Sequence, residues 1–207
     1  MKQIVWLLLL ALALPVAGFA NSVDFTNSGG TLSGNNSGLS LSGSTLIAIN
    51  GPPLGLITGD FGSVTFSTGA LSSGSLQMGG AFAAGGSFVI TGNGTDGIPN
   101  GVIFSGTFSG PVTWTLITLS NGTHNYALTG ELSGTWFTGQ TVYGATVQLI
   151  VNTGKSLFNG SATLSSGNTN INGNGLREIV TPEPGSISLL GTGLIGLACM
   201  LRRKLQG

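Results

Sequence analysis

The side chains able to do chemistry in this 207-residue chain are few and scattered. His124 is the single histidine and Cys199 the single cysteine. A zinc site needs several histidine, cysteine or carboxylate ligands close together, which this inventory does not supply, so no metal or other cofactor is expected. Cys199 lies in an apolar stretch with no group to make it a thiolate, and it leaves no partner for a disulfide. Serines are abundant, at 23, but no Gly-x-Ser-x-Gly elbow accompanies His124, which reads as a turn-flanking residue. Glycoside hydrolysis requires two carboxyl groups about 5–9.5 Å apart. Asp24, Asp60, Asp96 and Glu131 are far apart in sequence, and Glu178 sits beside Arg177. Residues Gly92-Asn93-Gly94-Thr95-Asp96-Gly97-Ile98 match part of a calcium-binding nonapeptide, but that motif works by stacking many copies and only one is present. No catalytic residues are assigned, and the chain is not expected to be an enzyme; a hydrolase built from dispersed residues is the third-ranked reading.

Aromatic rings are the remaining candidates. Trp114, Tyr126, Trp136, Phe137 and Tyr143 gather in the central segment, where flat rings with polar neighbours could stack on sugars. Trp114 and Tyr126 alternate with Val112, Leu116 and Leu128 and read as core. Trp136 and Phe137, being adjacent, must face opposite sides of a strand, so they are the candidate sugar-stacking pair.

The elements that must position these residues begin with two ends unlike the middle. Lys2, the apolar run Ile4 to Leu14, Pro15 and the small residues up to Ala20 form a secretory signal peptide, with cleavage after Ala20 and a mature chain starting at Asn21. At the other end Pro182-Glu183-Pro184 precedes an apolar stretch, residues 185–201, and then Arg202-Arg203-Lys204. Seventeen residues of helix rise about 26 Å, a short span for a hydrocarbon core of about 30 Å. The basic cluster stops transfer and stays cytoplasmic, which places the body outside. Signal peptidase and the secretory translocon are implied partners, and residues 185–201 contact the membrane.

The tail Thr181-Pro182-Glu183-Pro184-Gly185, the glycine-studded run Leu189 to Leu197 and the basic stop Arg202-Arg203-Lys204 closely resemble the PEP-CTERM sorting signal of Gram-negative bacteria. Threonine before the motif and glycine after it depart from the residues common there. The resemblance covers about 25 residues. It implies that Pro182, Glu183 and Pro184 are the motif read by an exosortase, a membrane-embedded cysteine transpeptidase-like enzyme. It also implies an inner-membrane-anchored precursor delivered to the cell surface or to an extracellular matrix of the biofilm and exopolysaccharide kind.

Setting the ends aside changes the arithmetic. Between Asn21 and Val180, Lys155 and Arg177 stand against five acidic residues, a net charge of 2 − 5 = −3. Nothing there attracts nucleic acid. The 37 glycines show no three-residue period, which excludes a collagen rod, and 41% hydrophobic residues are too many for a disordered linker.

The body reads as all-β: short apolar segments separated by glycine, serine and asparagine. Period-two alternation is clearest at 112–116, 126–129 and 141–151. Asn121-Gly122 suggests a type I′ hairpin between 112–120 and 123–132. Further strands are expected at 45–49, 63–67, 87–91, 102–108 and 157–164. The expected fold is an antiparallel β-sandwich or barrel-like domain over residues 21–164, with a β-solenoid as the alternative. Residues 165–181, rich in asparagine and glycine, read as a flexible tether to the sorting signal at 182–204. The leading functional reading is a noncatalytic surface or matrix protein; the second is a polysaccharide-binding module displayed by the same tail.

Overall fold

A computed structural model describes residues 22–51 and 55–172. The chain divides into two units, Met1–Leu176 and Arg177–Gly207, and the second lies outside the described residues. So do the signal peptide, the apolar stretch 185–201 and its basic stop. Among the described residues no helix is long and apolar enough to cross a membrane.

The described residues are all-β, as expected. They form twelve strands, β1 (Ser22–Ser28), β2 (Thr31–Asn35), β3 (Gly38–Gly51), β4 (Gly55–Ser67), β5 (Leu71–Ser75), β6 (Gly79–Phe82), β7 (Gly85–Asn93), β8 (Asn100–Phe108), β9 (Val112–Thr118), β10 (His124–Trp136), β11 (Thr141–Gly154) and β12 (Ser161–Asn172). Every ladder is antiparallel, unlike the parallel coils of a β-solenoid. The pairing closes on itself. From β1 the ladders run through β3, β4, β7, β8, β10, β11 and β12 and return to β1. Those eight strands have a partner on each side, which removes the free edges that invite aggregation.

Several long strands are interrupted. Both β1 and β2 pair with β12 and with β3, so they are two halves of one strand broken at Gly29 and Gly30. Gly30 has φ +75, and a Cβ there would meet Ser42 O and Ser44 N at 2.5 Å. Only glycine lets the backbones approach this closely. Likewise β8 and β9 lie on the same side of β10, against residues 132–136 and 124–129 respectively, separated by Ser109-Gly110-Pro111.

Alternation places the core inside this circuit. Along β11, Val142, Ala145, Val147, Leu149 and Val151 are buried, while Thr146, Gln148 and Ile150 face outward. Phe66, Phe88, Phe104 and Phe108 pack with ring centroids 6.0–6.4 Å apart. Trp114 and Tyr126 are core residues, stacked at 4.8 Å. Phe158, from the loop before β12, packs against them at 5.4 and 5.9 Å. Serine, threonine, asparagine and glutamine dominate the outward positions of β9–β12, the reverse of the apolar exterior that lipid demands of a transmembrane barrel.

Two local expectations are corrected. The Asn121-Gly122 turn is not type I′. Leu119 O accepts from Gly122 N–H and Leu119 N–H donates to Thr123 O, both at 2.9 Å, and only Gly122 (φ 78) of the two has positive φ. This is the three-residue loop in which a type I turn is followed by a left-handed glycine. The last strand also begins and ends later than expected, at Ser161 and Asn172 rather than 157 and 164. Residues 165–172, read as the start of a tether, pair with β11 on one side and β1 on the other. Main-chain pairing on both flanks orders a segment whose side chains give no apolar periodicity.

Candidate functional site

Glu131 and Asp24 stand apart on the sheet. Glu131, Thr146, Asn170 and Asp24 are successive register partners across β10, β11, β12 and β1. Three strand spacings of 4.7–4.9 Å separate Glu131 from Asp24 by about 14 Å, beyond the reach of paired-carboxylate glycosidase chemistry. Asp24 is also occupied, because Oδ1 accepts from Asn170 Nδ2 at 2.6 Å. Asp60 Oδ1 accepts from Gly62 N–H at 3.2 Å, which holds a turn of the backbone. Asp96 lies in a 3₁₀ turn, Thr95–Gly97, with φ 51. Among the described residues no three His, Cys, Asp or Glu side chains gather as metal ligands. His124 is half-buried at the start of β10, with Nδ1 3.1 Å from Thr118 Oγ1, across the hairpin rather than in a cleft.

Trp136 and Phe137 separate as neighbours on an extended chain must. Trp136 is 2% exposed and turned into the core, with its ring centroid 5.8 Å from Phe25. It cannot present a face to a sugar, and that part of the expectation is withdrawn. Phe137 is 38% exposed and leans on Trp136 at 5.5 Å. One half-exposed ring without its neighbour makes a poor stacking platform.

A concave feature lies elsewhere. A groove of about 600 Å³ crosses the outer face of β9–β12. Its floor carries Thr113, Thr129, Gln148 and Asn168, all exposed and each the register partner of the next. Gly110-Pro111 forms one wall, because the chain steps off β10 between β8 and β9. Ser109 N–H donates to Glu131 O at 3.0 Å and fixes that loop. The strand positions of Thr113, Thr129 and Gln148 follow from alternation, but their alignment needs the register between strands. Asn168 fell within the expected tether.

The sorting-motif residues Pro182, Glu183 and Pro184, the stop residues Arg202, Arg203 and Lys204, and the cleavage residue Ala20 lie outside the described residues. The comparison with protein families speaks to the C-terminal group. The model of the PEP-CTERM protein-sorting motif matches residues 180–204, the same stretch that carries the resemblance. No curated protein and no solved structure matches the chain. The chain therefore carries a PEP-CTERM sorting signal, which marks an exported protein sorted by an exosortase.

Proposed function

We propose that this is a noncatalytic protein of the cell surface or extracellular matrix, delivered by its C-terminal signal and carrying a barrel-like β-domain as cargo. The observation that carries this reading is the match of residues 180–204 to the sorting motif, beginning beyond the last described strand, which ends at Asn172. Residues 173–179 intervene, seven in all, and the ladders that close the circuit are formed by residues no later than 172. Cutting the chain at the motif breaks none of them. The domain is thus built to outlast the removal of its anchor.

The noncatalytic part of the proposal is supported by the separation of Glu131 from Asp24 and by His124 lying across a hairpin. Sparse charge and abundant glycine, serine and threonine suit a protein that persists in a hydrated matrix rather than one that turns over a substrate. The test is an immunoblot of the host expressing Glu183→Ala. A longer form retained in the membrane fraction is expected; unchanged length and release would contradict processing at this motif.

A further inference from the structure

The groove across β9–β12 lies on the outer face of the closed circuit, and its floor is a row of uncharged polar side chains. We infer that it binds a neutral, polyhydroxylated polymer, a glycan chain lying across the strands. This goes beyond sorting and rests only on the domain being exported.

The lining selects the ligand class. Threonine hydroxyls and the carboxamides of Gln148 and Asn168 each donate and accept hydrogen bonds, matching hydroxyl groups that do the same. Thr113, Thr129, Gln148 and Asn168 form a row of four across neighbouring strands, so such groups recur every 4.7–4.9 Å over about 14 Å. A repeating chain can engage several of them at once. Other classes fit poorly. Glu131 is the single charged group in the lining, so a polyanion meets repulsion and no counter-charge, and a cation meets one carboxylate only. An extended peptide needs a free strand edge, whereas β10, β11 and β12 are paired on both sides here. Apolar ligands find little beyond Pro111, since the side chain of Val147 is buried. With one carboxylate in the groove and Asp24 about 14 Å away, the bound chain is held and not cut.

Gly110 offers a clean way to block the groove. A Cβ there meets nothing within 4 Å, and the residue is not among the glycines with positive φ, so a large side chain can stand in the groove without straining the fold. The experiment is affinity electrophoresis of the full chain in gels containing dextran, galactomannan or a soluble β-glucan, with alginate as the polyanion. Retardation is expected in at least one neutral polymer and not in alginate. Gly110→Trp should abolish it with an unchanged circular dichroism spectrum. Thr129→Ala and Gln148→Ala should each weaken it roughly threefold to tenfold, the worth of one neutral hydrogen bond. Absence of retardation in all three neutral polymers, equal retardation in alginate, or wild-type retardation of Gly110→Trp would overturn the inference. The length of the Glu183→Ala product is read independently of the groove, so failure here leaves the sorting proposal standing, and the reverse holds.

Discussion

Replacing Tyr126 by phenylalanine removes one oxygen and tests how the loops at one end of the domain are held. The Tyr126 hydroxyl donates to Gln77 O at 2.7 Å and accepts from Phe158 N–H at 3.0 Å, tying the β5–β6 turn to the loop before β12. The ring is fully buried and its stack on Trp114 does not involve the hydroxyl. Phe158 is buried, so its N–H loses its partner with no access to water, at a cost of about 1–3 kcal/mol. Gln77 is exposed and its carbonyl can turn to water, adding about 0.5–1 kcal/mol. The sum, about 1.5–4 kcal/mol, corresponds to a melting temperature lower by roughly 3–16 °C for a chain of this size. Thermal unfolding followed by far- and near-ultraviolet circular dichroism reads the shift and checks that both probes move together. Tyr143→Phe is the control: that side chain is 76% exposed, and the same substitution should change stability by less than about 0.5 kcal/mol. Equal shifts for the two variants would refute the assignment of Tyr126 as the tie between the loops.

Three further outcomes follow from the packing. Gly134→Ala should destabilise by about 3 kcal/mol in the same melting assay, because its Cβ would meet Gly106 Cα at 2.6 Å and Phe104 Cζ at 2.8 Å, whereas Gly110→Ala should be neutral. Trp136→Ala should cost about 3–5 kcal/mol as a core deletion, and Phe137→Ala clearly less, reversing the order expected if Trp136 were a surface platform. A chain ending at Asn172 should keep a cooperative unfolding transition. One ending at Leu164 should lose it, since the ladders of β12 with β1 and with most of β11 are gone and the circuit opens.

Alternation made β11 legible along most of its length, and it also placed Trp114 and Tyr126 in the core. What it could not convey was pairing. β12 carries Asn168, Asn170 and Asn172 with a glycine and two threonines, a composition without an apolar period. Its order comes from β11 on one flank and, on the other, from the far end of the chain, Asp24 facing Asn170 and Phe25 facing Thr169. The breaks at Gly29-Gly30 and at Ser109-Gly110-Pro111 were equally hidden, because glycine and serine punctuate the whole chain. Asn121-Gly122 marked a turn correctly but not its geometry, since one left-handed residue and two suit the same dipeptide. The groove was illegible for the same reason as β12: its residues are unremarkable singly and become a row only through the register. The sorting signal needed no register, because its motif, apolar stretch and basic stop are contiguous in sequence.

The most direct test of the sorting account is the intact mass of the protein recovered outside the host cell. Sorting through the motif predicts a chain that begins at Asn21 and lacks residues 185–207, with the β-domain through Asn172 complete. Recovery of a released chain still carrying Arg202, Arg203 and Lys204 at its C-terminal end would contradict it.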